Sequence, residues 1–182
     1  MKVFMDSVRR FVDRMISEGE KHKVQRVILH TQSFPDESIT ALVVKTTNLE
    51  VKFEQGDGAA LVVSVETEDA RDTAKSVSFS AKIEDSVLTV TSKEGRSFHN
   101  TELVVRCPSK KSFDVVTKNG DVSITDLQAT SVVVKTESAD ISVNGVVCDR
   151  IKLTSQNGDI TTVNVDSKTK IEVRSVNGDV NR

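Results

Sequence analysis

One short string occurs three times in the C-terminal part of this chain: "TKNGDVSI" at 117–124, "SQNGDITT" at 155–162 and "SVNGDV" at 175–180. A diverged copy stands between the first two. Phe113, Val115 and Thr117 align with Val132, Val134 and Thr136, then with Ile151, Leu153 and Ser155, then with Ile171, Val173 and Ser175. Each trio leads into a turn that ends in Asp121, Asp140, Asp159 or Asp179, followed at once by Val122, Ile141, Ile160 or Val180. The aspartates are spaced 19, 19 and 20 residues apart. A fixed period near twenty without any helical signal predicts stacked β rungs, each burying its apolar face only against its neighbours.

Two local geometries satisfy the turn. Asn-Gly between apolar strands suits a type I′ hairpin with positive φ at both residues, and it suits a solenoid corner for the same reason. Either way, Gly120, Gly158 and Gly178 are positions where a Cβ would be opposed. Asn119, Asn157 and Asn177 are residues that tolerate left-handed backbone. The period favours stacking. It would place Val115, Val134, Leu153 and Val173 in one inward column, and Val122, Ile141, Ile160 and Val180 in a second. Thr117, Thr136, Ser155 and Ser175 would then line up beside the corner, their hydroxyls in reach of backbone. Ser138-Ala139 replaces Asn-Gly in the second copy, so a different turn is expected there. A column of aspartates superficially suggests calcium. Calcium repeats have a period of about nine residues with several glycines each. One carboxylate per rung reads instead as an acceptor for backbone N–H groups in the turn.

Upstream, seven segments rich in β-branched residues run from "VQRVILH" (24–30) to "TELVVRC" (101–107), separated by short polar breaks. They read as an antiparallel β unit over 24–107, closed by Pro108, which cannot donate to a ladder. The repeat stack over 108–182 is expected to continue from it. The N-terminal segment 1–20 differs from all of this. Phe4, Val8, Phe11, Val12, Met15 and Ile16 fall on one arc of a helical wheel, opposite Arg9, Arg10, Asp13 and Arg14. Gly19 is a natural stop. An amphipathic helix is expected over 3–18. Its candidate contact residues, Phe4, Val8, Phe11 and Met15, serve to pack on the β domain, to bind a partner, or to touch a membrane surface. Asp6, Asp13 and Glu18 weaken the last role.

Composition narrows the chemistry. Net charge is −2, so no chain-wide pull toward nucleic acid or anionic lipid is expected. The chain has no Trp and no Tyr, hence few platforms for stacking bases or sugars. His22, His30 and His99 sit in unrelated segments without ligand spacing. Cys107 and Cys148 form no CxxC pair and read as buried thiols. No nucleophile elbow and no phosphate loop is present. The residues therefore predict no catalytic site, no metal, no cofactor and no nucleic-acid partner. No apolar run reaches the length of a spanning helix, and the first twenty residues lack the apolar core of an export signal. As given, the chain is expected in the cytoplasm, with association at the cell envelope compatible.

The stretch "LVVRCPSKKSFDVVTKNGDVSITDL" (103–127) resembles the core of the bacterial putative-adhesin family of unknown function, also called toast-rack domains. That family has a strand ending in Pro, then repeated units of apolar strand, Ser/Thr-x-Asn-Gly-Asp and a further strand. The likeness is close over 101–180 and looser over 39–100, where "VVKTTNLEVKF" reads as a degenerate early copy. The resemblance implies an all-β, solenoid-like fold and a link to bacterial envelope stress or surface interaction. It brings no catalytic residues. The sequence therefore predicts an all-β protein of stacked β repeats, with an antiparallel unit before them and one N-terminal amphipathic helix. The expected function is a non-catalytic interaction scaffold. Alternatives are a self-assembling structural module and, less well supported without Trp and Tyr, a glycan-binding or glycan-acting solenoid.

Overall fold

A computed structural model describes residues 26–67, 77–94, 101–169 and 171–182. The helix expected over 3–18, with Phe4, Val8, Phe11 and Met15, lies outside the described residues. The first seven strands are β1 (Val27–Pro35), β2 (Ala41–Lys45), β3 (Glu50–Gln55), β4 (Ala60–Thr67), β5 (Val77–Glu84), β6 (Val87–Glu94) and β7 (Thr101–Cys107). The repeats add β8 (Lys111–Thr117), β9 (Val122–Thr125), β10 (Gln128–Thr136), β11 (Ile141–Asn144) and β12 (Val147–Ser155). The last four are β13 (Ile160–Val163), β14 (Asp166–Ser167), β15 (Ile171–Ser175) and β16 (Val180–Asn181).

These strands form two eight-stranded sheets. The first runs β1-β4-β7-β3-β9-β11-β13-β16. The second runs β14-β12-β10-β8-β2-β6-β5, with β15 also paired to β12. A rung is one strand of the second sheet, a four-residue corner, and one strand of the first. Rungs β8–β9, β10–β11, β12–β13 and β15–β16 stack in parallel, so the repeat is a solenoid and not a row of hairpins.

The expected columns form. Val115 pairs with Val134, Val134 with Leu153 and Leu153 with Val173. Val122, Ile141, Ile160 and Val180 stack in the first sheet. Period-2 alternation within each strand turns both columns toward the space between the sheets. Phe53 on β3 meets Phe113 on β8 edge-on across that space, ring centroids 5.2 Å apart. The wholly buried members of these columns, which stop short of Val173 and Val180 in the last rung, each contribute about 1.5–3 kcal/mol of transfer free energy.

The antiparallel unit expected over 24–107 is antiparallel only in part. All seven strands exist, and β1–β4, β4–β7 and β5–β6 do pair antiparallel. But β2 pairs parallel with both β6 and β8, and β3 parallel with both β7 and β9. The cause is the link between β2 and β3, which is a solenoid corner that sends the chain into the opposite sheet, as "VVKTTNLEVKF" foreshadows. The rung β2–β3 is laid down first. Later in the chain, β6 and β7 pair with its two strands on one side, and β8 and β9 on the other. Leu42, Val44, Leu49, Val51 and Phe53 of this interior rung are all buried. Among the described residues, one tight antiparallel turn of type I′ character occurs, joining β5 to β6 through Asp85 and Ser86 at φ 49° and 63°.

Candidate interaction surface

The Asn-Gly-Asp corners are where sequence reasoning placed its candidate residues, and they are built by bonds between rungs. The carboxylate Oδ1 of Asp121 accepts the N–H of Asp140 at 2.9 Å. Asp140 Oδ1 accepts from Asp159 N–H, and Asp159 Oδ1 from Asp179 N–H, each at 2.8 Å. The aspartates are therefore acceptors for backbone donors of the next rung, a structural ladder. The asparagines form a second one. Asn119 Nδ2 donates to Asn48 Oδ1 at 2.8 Å, and Asn177 Nδ2 to Asn157 Oδ1 at 2.7 Å. Between them, Asn157 Nδ2 donates to the Glu137 carbonyl at 3.1 Å and to Ser138 Oγ at 3.3 Å.

The expected reason for the glycines is wrong. None of Asn119, Gly120, Asn157, Gly158, Asn177 and Gly178 has positive φ. What excludes a side chain is the rung beneath. A Cβ on Gly120 would lie 2.0 Å from the Leu49 carbonyl oxygen. On Gly158 it would lie 2.0 Å from that of Ala139, and on Gly178 2.3 Å from that of Gly158. The corners also come in two hydrogen-bonding forms. In the glycine corners the hydroxyls of Thr117, Ser155 and Ser175 accept the glycine N–H, at 3.1, 2.8 and 3.0 Å. In the corners carrying Leu49 or Ala139, Thr46 or Thr136 instead donates to that residue's carbonyl, at 3.3 and 3.0 Å. The different turn expected at Ser138-Ala139 takes this second form, and Ala139 buries its methyl group.

The opposite corners escaped the sequence reading. Asp126, Gly145 and Asn164 all have left-handed backbone, at φ 50°, 65° and 52°. They too recur every 19 residues, and each precedes an apolar residue, Leu127, Val146 or Val165. That spacing was the available signal.

The adjacent Lys110 and Lys111 read from the sequence as a small, solvated basic cluster, and for Lys111 that reading fails. Lys111 is buried at 3% side-chain exposure and paired with Asp36 Oδ1 at 3.0 Å. Its ammonium donates to the carbonyls of Asp36 and Ile39 at 2.9 and 2.7 Å and to Ser109 Oγ at 2.9 Å. It pins the β1–β2 connection to β8. Nearby, burial pushes the Cys107 thiol up to about 11, so this cysteine is an inert apolar filler at neutral pH. On the outer face of the first sheet, Arg106 bonds Glu66 through Nη1 at 2.5 Å and Glu54 through Nε at 3.3 Å. Burial alone would raise the Glu66 carboxyl, but bonds from Arg106 and Ser64 outweigh it and hold it below the usual range. Arg26 adds a two-pronged pair to Glu102 at 2.7 and 3.2 Å.

Among the described residues no three His, Cys, Asp or Glu side chains gather as a metal site, and no helix is long and apolar enough to cross a membrane. What the stack offers is area. Along β8, β10, β12 and β15, side chains alternate between the core and solvent rung after rung, with Asp114, Val116, Lys135, Lys152, Glu172 and Arg174 exposed. On the first sheet, Ser123, Ser142 and Thr161 align as a strip of short hydroxyl side chains.

Comparison with known proteins agrees with this architecture. A putative cell adhesion protein from Clostridium sporogenes superposes with TM-score 0.52 at 4% identity, covering 86% of this chain and 98% of its own. A putative adhesin from Parabacteroides distasonis gives TM-score 0.46 at 15% identity, covering 86% of this chain and 73% of its own. One from Bacteroides fragilis gives 0.41 at 13%, covering 90% and 100%. At these identities the first shows the fold, and the others add no argument. No curated protein matches the sequence. The family profile described as Toastrack DUF4097 matches residues 39–181, from the start of the first rung to the last strand. The chain belongs to the toastrack family.

Proposed function

We propose that this chain is a non-catalytic interaction domain that presents a broad, rigid β surface to a protein partner at the bacterial cell envelope. One observation carries the reading. The aspartates and asparagines of the repeat, its most chemically capable side chains, are engaged in bonds between rungs, while the outer face of β8, β10, β12 and β15 projects ordered rows of side chains into solvent. Such a frame suits recognition by area. Membership in the toastrack family supports a surface or interaction role, and the envelope-stress link is the finer form of the same proposal.

The test is capture resolved by face. The immobilised full chain and variants with charge reversals on one sheet face are exposed to an envelope extract of the native bacterium. Proteins retained by the wild type and lost with one face only support the proposal. Turnover of a small molecule by the purified chain, abolished by a single substitution, overturns it.

Self-association is a second reading, favoured by apolar side chains exposed near the last rung: Val163 at 47%, Val176 at 57% and Val180 at 40%. Light scattering over a concentration series tests it, and a strict monomer up to the highest attainable concentration removes it.

A further inference from the structure

Folding collects cations that the sequence scatters. Lys45 pairs across the ladder with Val116, Val116 with Lys135, Lys135 with Thr154, and Thr154 with Arg174. Three cations thus stand in one outward row of the second sheet, two strands apart each time. At a strand spacing of about 4.8 Å they recur about every 10 Å. None of the three has an ion-pair partner among the described residues. Lys152 and Arg182 flank the row. Together with Lys135, Thr154, Glu172 and Arg174 they line an open depression of about 670 Å³. Glu172 is the one acid in that lining, and Lys152 faces it at 3.5 Å. Asp114 lies in the adjoining row, beside Val133 and Val43.

The geometry points to this face as a binding site for a flexible, base-free polyanion of the polyphosphate kind, laid across the strands along the Lys45–Lys135–Arg174 row. Unpaired cations of one sign on a rigid surface create a local potential that the net charge of −2 conceals. Lysines act as point charges without a fixed fork, which suits a flexible string of anions better than a single shaped carboxylate. A nucleic acid would supply the same phosphates. Its bases would find no aromatic partner here, because Phe79 and Phe113, the phenylalanines of the described strands on this sheet, are buried on its inner side. This site goes beyond the interaction role proposed above and does not depend on it.

Titration of the full chain with inorganic polyphosphate, followed by calorimetry at low and at physiological salt, tests the assignment. Binding that weakens steeply with salt is expected, because it releases counterions. The variant Lys135→Glu/Arg174→Glu should lose about tenfold or more in affinity, and Lys135→Gln/Arg174→Gln should lose less. Both keep the wild-type melting profile, since the two side chains are exposed and unpaired. The variant Lys52→Glu/Lys168→Glu, with the same net charge and both changes away from the row, should bind as the wild type does. Equal loss in that control, no binding at low salt, or tighter binding to single-stranded DNA or anionic vesicles than to polyphosphate each overturns the assignment.

Discussion

The two corners of each rung solve opposite problems. At the Asn-Gly-Asp corner the backbone is conformationally ordinary, and the constraint comes from the neighbouring rung. At the corner of Asp126, Gly145 and Asn164 the backbone itself is left-handed. The first corner selects glycine for lack of space. The second selects residues that accept positive φ, and Gly, Asn and Asp all do so at modest cost. Tight stacking therefore leaves a repeated motif in the sequence, whereas a left-handed turn leaves three different residues at one spacing. An obvious motif marks the place where the structure is least forgiving, and here that is not where the backbone is most unusual.

The sharpest way to break this contrast is Gly158→Ala. The new methyl group would meet a backbone carbonyl, which cannot move without shifting the whole rung. We expect a loss of about 3 kcal/mol or more, read as a fall in the denaturation midpoint. The reverse change one rung below, Ala139→Gly, removes a methyl from a corner already in the tolerant form and should cost about 1 kcal/mol. Near-equal effects would mean that the two corner forms interconvert freely, and the contrast would fail.

At the left-handed corner, Gly145→Ala should cost about 1–2 kcal/mol. Its Cβ would crowd Asp126 Oδ1, the end of a side chain that can swing aside. Gly145→Asn should cost less than the alanine, because Asn164 already holds the same backbone shape one rung on. If asparagine proves as damaging as alanine in thermal melts, contact with Asp126 governs this corner and φ does not.

The aspartate ladder permits a finer cut. Asp140→Ala leaves the Asp159 N–H without its acceptor and should cost about 1 kcal/mol at this exposed position. Asp140→Asn keeps an oxygen acceptor and should stay within about 0.5 kcal/mol of the wild type. Comparable losses from both would show that the negative charge matters more than hydrogen bonding.

These contrasts also explain how far the sequence could be read. The valine columns were legible because two periods, alternation within strands and nineteen residues between rungs, reinforce one another in Val115, Val134 and Leu153. The function of Asn119 and Asp121 as turn residues was legible, but the partner of each lies on another rung, so the reason for Gly120 was misassigned to φ. The corner between β2 and β3 leaves its trace in "VVKTTNLEVKF", but the return of β6 and β7 to pair in parallel beside it is a long-range placement that no local pattern records. Lys45, Lys135 and Arg174 gave no signal at all, since only the register of three distant strands makes them neighbours.

The smallest expected effect lies where the aspartate column begins. Register puts Glu50 beside Asp121, on the strand that precedes the first repeat. Burial, then the charges of Glu102 and Asp121, raise its carboxyl, while Lys52 and Arg26 oppose the rise. A carboxyl that holds its proton more tightly when folded penalises the fold once it ionises. The penalty is absent below the unfolded value near pH 4, grows as pH rises through the folded value, and stays constant above it. Glu50→Gln should therefore be more stable than the wild type at pH 7, by a few tenths of a kcal/mol after allowance for solvent screening at this half-exposed site. The two should converge below about pH 4. Paired melts across that range decide the matter. A glutamine variant less stable at pH 7 would mean that Lys52 and Arg26 dominate. The column would then begin with a supporting ion pair, and the crowding that distinguishes its first member from the hydrogen-bonded aspartates above it would vanish.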